Sequence, residues 1–384
     1  MTTPPTSAIA AGTTLMKICV PKEMASNERR VALVPGAVTA VIKTGADVLV
    51  ETGAGQSALF TDTDYEKTGA KIVGTAAALY AQADIVVKIQ KPSEAEVTML
   101  RAGAVLIALL QPPTNPELVK QLADRKVTAF SMDAIPRITR AQSMDVLSSQ
   151  ATVAGYKAVI LAANAFSELF PMLTTAAGTI PPAKVLVIGA GVAGLQAIAT
   201  ARRLGAVVFS FDVRAAVKEQ VESLGAKFLQ VELADRQTED KGGYAKELSR
   251  ESHQRELDLI ANHVKDMDVV ITTAAIPGKR APLLVTKEMV ATMRAGAVIM
   301  DLAAESGGNC ELTEAGKEVR ANGVTIHGPV NLASTMPKHA SQMYARNVTE
   351  LLKLLVKKGA LNLDFNDEII QGTCITHDGA VRKG

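Results

Sequence analysis

The chain has 384 residues, of which 48% are hydrophobic, enough for about two domains with separate cores. Its 41 Lys and Arg residues nearly balance 39 Asp and Glu residues, and the net charge of +2 lacks the basic excess that favours nucleic acid or anionic lipid. We therefore expect no nucleic acid partner. The most apolar uncharged stretch, residues 185–201, contains three glycines and is shorter than the ~20 apolar residues of a membrane span, so the sequence predicts a soluble chain.

Cysteine and histidine usage argues against a metal site. Cys19, Cys310 and Cys374 are scattered and form no CxxC pair, and the five histidines form no HExxH motif. A reducing cytoplasm fits this usage. Residues 1–15 lack the basic start and apolar centre of a signal peptide, and we expect them to form a disordered leader.

Short apolar runs alternate with helical patterns in the first third of the chain. We predict strands at residues 17–21, 47–51, 84–90, 104–110 and 127–132. Ser93 and Glu96 predict a capping box at the start of a helix over 93–100, and Asn115 is the expected N-cap of a helix that continues to about residue 126. Repeated alternation with few aromatic residues is typical of parallel sheets covered by helices.

A second alternating series follows a long Ala-rich helix, predicted over 151–170, and a loop at 174–182. We predict further strands at residues 184–188, 207–211, 227–231, 268–273, 297–302 and 324–327, then an amphipathic helix over 340–358 and a polar tail. The charged segment 232–243 is expected to be a surface loop, with a functional lid and a disordered connection as equal alternatives.

These patterns predict an α/β protein with two Rossmann-like lobes, each a doubly wound parallel sheet, and a cleft between them. Because the final helix is expected to return to the first lobe, residues 16–145 and 338–384 form a predicted discontinuous N-terminal domain. Residues 146–337 form the predicted second domain, which contains the motif described next.

A glycine-rich motif follows the first strand of the second domain. Gly189, Gly191 and Gly194 have GxGxxG spacing, with Val192 and Ala193 at the start of a helix that continues to about residue 204. The three glycines suit a tight turn, close approach of a pyrophosphate, and helix packing against the strand. The motif predicts dinucleotide binding, and a turn needed only for packing is the alternative.

An acidic residue follows the next strand at the expected interval. Asp212 stands 23 positions after Gly189, close to the interval of about 20 seen in NAD-binding folds. A carboxylate here binds the adenosine ribose hydroxyls and repels a 2′-phosphate, so Asp212, Val213 and Arg214 are predicted to form an NAD(H) site. Arg214 is the opposing feature because a basic side chain accommodates a phosphate; we favour the interpretation that it faces solvent.

Several segments together resemble one known superfamily. They are residues 17–23 (KICVPKE), 27–35 (NERRVALVP), 189–194, 276–279 and 301–308 (DLAAESGG). In these segments the sequence resembles the alanine dehydrogenase and NAD(P) transhydrogenase superfamily, and within it the soluble NAD(H)-binding component, domain I, of proton-translocating transhydrogenases. The resemblance extends over nearly the whole chain from Met16.

Two positions separate the branches of this superfamily. The alanine dehydrogenase pattern has a lysine and a histidine for proton transfer, and here the matching positions are Gln90 and Gln111. Neither amide is a general base. The strand register is expected to point the neighbouring Lys88 and Lys91 away from the required position.

The segment 136–150 resembles the Arg-Gln-Asp loop of transhydrogenases. The resemblance implies that four candidate catalytic residues surround the nicotinamide and its ribose: Arg137, Gln142, Asp145 and Ser148. A hydrogen-bonding hinge between the lobes is the alternative. The resemblance also implies that Tyr244 belongs to a mobile loop over the nucleotide, and that Ala275, Ile276 and Pro277 lie against the nicotinamide. Arg30 and Glu305, at substrate positions of alanine dehydrogenases, are expected to be structural or to line the cleft.

The resemblance implies an enzyme subunit that is active only with partners. NAD(H) would bind to this chain and NADP(H) to a partner subunit, with direct hydride transfer coupled to proton movement across a membrane. A homodimer bound to membrane-embedded and NADP(H)-binding subunits, on the cytoplasmic inner face of the membrane, is implied as well. The alternatives are a stand-alone NAD-dependent alanine dehydrogenase, which Gln90 and Gln111 oppose, and a non-enzymatic NAD-sensing module.

Overall fold

Two units divide the chain, and each contains its own central sheet. The computed structural model describes residues 15–230, 249–276 and 279–382, so the predicted leader lies outside this part except for Leu15. One unit consists of Met1–Val146 and Ser341–Gly384, and the other of Leu147–Ala340. The chain therefore leaves the first unit once and returns to it.

Strands and helices alternate through most of both units. The strands are β1 (Lys17–Val20), β2 (Asp47–Glu51), β3 (Lys71–Val73), β4 (Ile85–Gln90), β5 (Val105–Leu109), β6 (Thr128–Ser131), β7 (Leu173–Thr175), β8 (Gly178–Ile180), β9 (Lys184–Ile188), β10 (Val207–Phe211), β11 (Lys227–Leu229), β12 (Val269–Thr272), β13 (Val298–Asp301), β14 (Glu318–Ala321), β15 (Val324–His327), β16 (Val356–Lys357), β17 (Ala360–Leu361), β18 (Cys374–His377) and β19 (Ala380–Val381). The helices are α1 (Pro35–Ile42), α2 (Asp62–Glu66), α3 (Ala76–Tyr80), α4 (Glu94–Met99), α5 (Pro116–Asp124), α6 (Val146–Ala165), α7 (Val192–Arg203), α8 (Lys218–Ser223), α9 (Arg250–Val264), α10 (Lys287–Thr292), α11 (Pro337–Leu355) and α12 (Glu368–Thr373).

The sheet of the first unit has the order β19-β18-β6-β5-β4-β1-β2-β3. Strands β1 to β6 pair in parallel, whereas β18 and β19 are antiparallel. Alternate residues of β4 enter opposite cores: Ile85 and Val87 lie in one apolar cluster and Val86 in another. Burial on both faces explains why these strands are almost continuously apolar in sequence.

Helix starts in the first unit follow the capping rules in one predicted case and not in the other. The predicted capping box of α4 is confirmed, because Ser93 accepts from the backbone N–H of Glu96 and the Glu96 side chain accepts from that of Ser93. The predicted side-chain cap at Asn115 is wrong. Its amide instead donates to the carbonyl oxygens of Leu110 and Gln111, at 3.2 and 3.0 Å, and Pro116 opens the helix.

The sheet of the second unit has the order β11-β10-β9-β12-β13-β15-β14. All pairs are parallel except β14 with β15. Val185 and Val187 of β9 face one core, and Leu186 and Ile188 the other. The order runs outward in both directions from β9 and β12, which is the doubly wound arrangement with its switch point between these strands. The predicted α/β fold with two parallel-dominated sheets is confirmed.

Three predictions of local structure need correction. The long helix spans Val146–Ala165, not 151–170. The predicted loop 174–182 contains the antiparallel hairpin of β7 and β8, whose strand residues are all exposed and so carry no alternation of buried and exposed positions. The predicted polar tail forms α12, β18 and β19, because Cys374 and Thr376 of β18 pair with β6 and extend the first sheet.

Within the described residues, one helix has the length and apolarity of a membrane span. This helix is α6, Val146–Ala165. Core helices of soluble proteins meet the same criterion, and Ala158, Val159 and Ala162 of α6 are fully buried in a core of the second unit.

Candidate dinucleotide site

The glycine motif forms the turn between β9 and α7. Gly189 has a φ of +96°, a conformation that glycine adopts without strain, and a Cβ there would lie 2.7 Å from Thr273 Oγ1. A Cβ on Gly194 would lie 1.8 Å from the carbonyl oxygen of Gly189, so helix and turn touch at backbone distance. These two positions require glycine for the fold itself.

Gly191 differs from the other two glycines. It is the N-cap residue of α7, with φ −74° and ψ −170°, a conformation open to any residue, and a Cβ there would meet no atom within 4 Å. Packing therefore does not explain the glycine, whereas close approach of a ligand does. Val192, 40% exposed, and the half-buried Ala193 continue the helix from this point, and their N–H groups belong to the positive end of the helix dipole.

Asp212 lies at the carboxyl end of β10, next to the glycine turn. Its Oδ2 accepts from the backbone N–H of Ala190 at 2.7 Å, and Gly189 N donates to the carbonyl oxygen of Phe211 at 2.8 Å. The side chain of Asp212 is only 5% exposed. Parallel neighbouring strands thus bring together the motif and the acid that the sequence separates by 22 intervening residues.

Arg214 does not face solvent, and that expectation is wrong. Its Nε donates to Asp212 Oδ1 at 2.8 Å and its Nη2 to Asp212 Oδ2 at 2.7 Å, with the Arg214 side chain 14% exposed. The backbone N–H of Arg214 also donates to Asp212 Oδ1 at 2.9 Å. A bidentate, charge-assisted pair at this separation outweighs hydration of the guanidinium because both groups are largely buried. Val213 between them is half-buried against an apolar cluster.

A second carboxyl lies near this pair that sequence reasoning missed. Glu256 on α9 is 5% exposed and hydrogen bonds to His253 Nδ1 at 3.0 Å. Burial raises the pKa of Glu256, His253 opposes the shift, and the charge of Asp212 adds to it. No motif marks Glu256, since its nearness to Asp212 arises only when α9 folds against the sheet.

The segment after β12 lies beside the glycine turn. Thr273 Oγ1 donates to the carbonyl oxygen of Gly189 at 2.9 Å, and a Cβ on Gly189 would lie 3.0 Å from the backbone N of Ala274. Ala275 is exposed and Ile276 half-buried in this segment. The predicted contact residue Pro277 lies outside the described residues, as do Tyr244 and the charged loop 232–243.

The predicted Arg-Gln-Asp segment is anchored in the first unit by apolar side chains. Ala141 and Met144, in the 3-10 helix Thr139–Met144, are buried in the core. Around these anchors Arg137 and Gln142 are exposed and Asp145 is half-buried. Ser148, also half-buried, lies on α6.

Two contacts fix the backbone of this segment from outside. Arg140 forms a bidentate pair with Asp367 at 2.6 and 2.8 Å, and this lowers the pKa of Asp367. The side-chain amide of Asn347, on α11, donates to the carbonyl oxygen of Ser143 at 2.7 Å. The segment therefore presents polar side chains from a backbone that α11 and the residues before α12 hold.

Gln90 takes part in a buried ionic cluster of the first unit. Arg30, 4% exposed, pairs with Glu28 at 2.6 Å, and Gln90 Nε2 donates to Glu28 Oε2 at 2.8 Å. Burial works to raise the pKa of Glu28, but the hydrogen bonds and charge of Arg30, with Gln90, lower it to about 2. Arg30 is thus already paired with a carboxylate inside the chain.

Lys88 and Gln90 have different partners although they stand two residues apart. Lys88 is 1% exposed, forms a short hydrogen bond with Glu96, and lies 3.6 Å from Glu23. A β-bulge between Val87 and Gln90 breaks the regular alternation of the strand. Burial raises the pKa of Glu23 to about 6, against the opposing charge of Lys88.

The other positions compared with alanine dehydrogenases lie at the surface. Gln111 is exposed, has a φ of +49°, and donates its backbone N–H to Asp133 at 3.2 Å. Lys91 is exposed and hydrogen bonds to Asn115. Glu305 is exposed and accepts from the backbone N–H of Asn331 at 2.8 Å. Among the residues that the structure describes, no group of three His, Cys, Asp or Glu side chains is arranged to hold a metal.

The fold and the glycine turn define a nucleotide-binding α/β protein of the Rossmann type. The family models named Alanine dehydrogenase/PNT, N-terminal domain, and Alanine dehydrogenase/PNT, C-terminal domain, match residues 19–154 and 158–384. The chain therefore belongs to the alanine dehydrogenase/PNT family, and its fold and family imply binding of a nicotinamide nucleotide.

Both branches of the family are represented among proteins similar to this chain. An NAD(P) transhydrogenase alpha subunit of Rhodospirillum rubrum is 50% identical over 374 residues, which covers 95% of this chain and 97% of that protein. A transhydrogenase structure from Sinorhizobium meliloti has a TM-score of 0.83 at 46% identity, covering 95% of this chain and 98% of that one. An L-alanine dehydrogenase structure has a TM-score of 0.80 at 26% identity, covering 95% and 96%. The fold is thus common to both, and the sequence is more similar to the transhydrogenases.

Proposed function

We propose that this chain is the NAD(H)-binding component of a proton-translocating transhydrogenase. It exchanges hydride between NADH bound here and NADP⁺ held by a partner subunit, coupled to proton movement across a membrane. The observation that carries the proposal is the glycine turn with Asp212 beside it, in a chain 50% identical to a transhydrogenase alpha subunit. Residues 146–337 are the proposed NAD(H) domain, and residues 16–145 with 338–384 the accompanying domain.

The arrangement around Gly191 fits a dinucleotide. The free space at Gly191 and the N-terminus of the twelve-residue helix α7 suit a pyrophosphate, which the helix dipole stabilises. Asp212 suits the ribose hydroxyls and disfavours a 2′-phosphate, so we assign NAD(H) to this chain and NADP(H) to the partner. Val192, Ala193, Val213 and Arg214 complete the proposed binding surface, with Tyr244 and residues 275–277 on the nicotinamide side.

Hydride transfer between two nicotinamides places few chemical demands on the protein. The nucleotide supplies the hydride, and no substrate proton is added or removed. The chain therefore has to orient the nicotinamide and stabilise charge, and needs no general base. We assign this positioning to Arg137, Gln142, Asp145 and Ser148, whose polar side chains come from a backbone held by Asn347 and the Arg140–Asp367 pair.

The remaining elements of the proposal concern assembly. A homodimer is proposed to bind membrane-embedded and NADP(H)-binding subunits on the cytoplasmic inner face of the membrane. The name "subunit alpha" of the Rhodospirillum rubrum relative supports further subunits, and activity is proposed to require them.

A stand-alone alanine dehydrogenase is the second candidate, favoured by the TM-score of 0.80 to an L-alanine dehydrogenase. Amino-acid oxidation requires proton transfer, and the amides of Gln90 and Gln111 do not titrate near neutral pH. In addition, Glu28 already occupies the guanidinium of Arg30. These features favour the transhydrogenase component, and an NAD-sensing module without catalysis is the third candidate.

NADH fluorescence separates the first two candidates, and the absence of tryptophan simplifies the signal. Purified chain is expected to bind NADH and to leave it unconsumed when pyruvate and ammonium are added. Consumption of NADH would establish a complete dehydrogenase. Absence of NADH binding would contradict the proposal altogether.

Variants of the Arg-Gln-Asp segment separate the transhydrogenase component from a sensing module. In a complex reconstituted with the partner subunits, Arg137→Ala and Gln142→Asn are expected to bind NADH but to transfer hydride to NADP⁺ much more slowly than the parent chain. Transfer at the parental rate in both variants would contradict the role assigned to this segment.

A further inference from the structure

Asn309 connects two stretches of backbone beside the glycine turn. Its Nδ2 donates to the carbonyl oxygen of Ala274 at 2.9 Å and to that of Pro282 at 2.8 Å. Asn309 is fully buried. One side-chain amide therefore holds both ends of the segment that leaves β12, and the two carbonyl oxygens take up both of its N–H bonds.

Asp301 in turn fixes Asn309. This carboxylate is fully buried at the end of β13. It accepts hydrogen bonds from Thr272 Oγ1 (2.8 Å) and Ala303 N (3.0 Å) on Oδ1, and from Asn309 N (2.8 Å), Cys310 N (3.0 Å) and Thr313 Oγ1 (2.7 Å) on Oδ2. Several donors that converge on one buried carboxylate define the path of the backbone around it.

The chain of contacts reaches the predicted NAD(H) site. Asn309 binds the carbonyl of Ala274, and the residue before Ala274 donates its side-chain hydroxyl to Gly189 O at 2.9 Å. Ala275 and Ile276, the predicted nicotinamide contacts, follow directly. A shift of Ala274 would therefore move the nicotinamide side of the site without moving Asp212 or the helix α7 that serve the adenosine and pyrophosphate.

We propose that Asn309 is a positioning residue for the nicotinamide half of the bound nucleotide, with Asp301 fixing its place. This inference rests on the proposed function, because it requires that Ala275 and Ile276 face the nicotinamide. Asn309 sets the backbone at Ala274 through a neutral donor pair, a task that neither an acid nor a single hydroxyl performs.

The test compares NADH with ADP, which lacks the nicotinamide. In the purified chain, Asn309→Ala is expected to weaken NADH binding about tenfold, the value of two lost hydrogen bonds, and to leave ADP binding within about twofold. Asn115→Ala is the matched control, since Asn115 also donates its amide to two carbonyl oxygens, at 3.2 and 3.0 Å, in the first unit. The control is expected to bind both nucleotides as the parent does.

A second variant guards against loss of folding in Asn309→Ala. Thr313→Val removes one donor from Asp301 at a half-buried position and is expected to weaken NADH binding by a smaller factor, again with ADP unaffected. Equal weakening of NADH and ADP, or unchanged NADH binding in either variant, would overturn the inference. If the parent chain binds no NADH, the proposed function falls first and the inference with it, whereas parent-like NADH binding in the variants removes the inference alone.

Discussion

The guanidinium of Arg214 and the carboxylate of Asp212 form a bidentate pair at the end of β10, with nitrogen–oxygen distances of 2.8 and 2.7 Å. Together with the N–H groups of Ala190 and Arg214, this pair gives each oxygen of Asp212 two donors. A ribose that binds Asp212 through its hydroxyls must therefore compete with Arg214. The pair also places a positive charge directly beside the acid, on a side chain that would otherwise attract a 2′-phosphate.

Asp212→Asn tests nucleotide selection. The variant loses the charge that accepts ribose hydroxyls, so NADH affinity is expected to fall about ten- to a hundredfold. Arg214, released from its partner, is expected to attract the 2′-phosphate and to raise NADPH affinity relative to NADH. The ratio of the two dissociation constants is the measurement.

A double variant supplies the control for this expectation. Arg214→Ala in the Asp212→Asn background is expected to remove the gain in NADPH binding, since the cation is gone. A ratio that stays at the parental value in Asp212→Asn would show that this acid does not select the nucleotide.

Gly191→Ala and Gly194→Ala form a matched pair of substitutions in the motif. At Gly191 the added methyl group meets no protein atom, so the free energy of unfolding is expected to change by less than about 1 kcal/mol while NADH affinity falls about tenfold or more. At Gly194 the methyl group would overlap the carbonyl of Gly189, and a loss of about 3 kcal/mol or more in stability is expected.

Urea unfolding and NADH titration of both variants measure these effects. If Gly191→Ala bound NADH as tightly as the parent, the turn would serve packing alone. This result would favour the alternative interpretation of the motif.

Glu28→Gln tests the buried pair with Arg30. The pKa of Glu28 is lowered from 4.5 to about 2, so the ionised carboxylate stabilises the folded state. This contribution, about 3 kcal/mol, is complete above pH 4.5 and is lost as the pH falls towards 2. The difference in unfolding free energy between parent and variant is expected to be largest near pH 7 and to shrink below pH 4.5. A difference independent of pH would contradict the ionic role.

Glu23→Gln is expected to show the opposite dependence. The pKa of Glu23 is raised from 4.5 to about 6 by burial, so its folded form favours the proton. Its contribution is complete below pH 4.5 and is lost as the pH rises through 6. Unfolding free energies measured from pH 4 to 8 should therefore show the parent losing stability relative to the variant across this interval, and no relative change would contradict the assignment.

The sequence predicted those regions of the fold that depend on local pattern. Strands β2, β9, β10 and β15 have the predicted bounds, because each is an apolar run in a central sheet and is closed by a turn. The hairpin of β18 and β19 was missed, although Asp378 and Gly379 at its turn both have positive φ and Asp-Gly is a hairpin signal. Its strands are short, and pairing with β6 decides them.

The candidate site was predictable where spacing carries the information and not where side chains meet through the fold. The interval from Gly189 to Asp212 follows from one strand, helix and strand. The orientation of Arg214, by contrast, depends on burial around Asp212, which no pattern in residues 207–214 encodes. Asn309 stands 35 positions from Ala274, and only the neighbouring strands β12 and β13 bring them together.

The central claim is direct hydride transfer from NADH on this chain to NADP⁺ on a partner, and isotope labelling tests it most directly. NADH carrying deuterium at the transferred position of C4 is supplied to the chain reconstituted with its partner subunits and NADP⁺, in ordinary water. The account predicts NADPH that contains the deuterium, with none exchanged for solvent hydrogen, and no NADPH when this chain is left out. NADPH without deuterium, or NADH oxidised by the chain alone with pyruvate and ammonium, would contradict it.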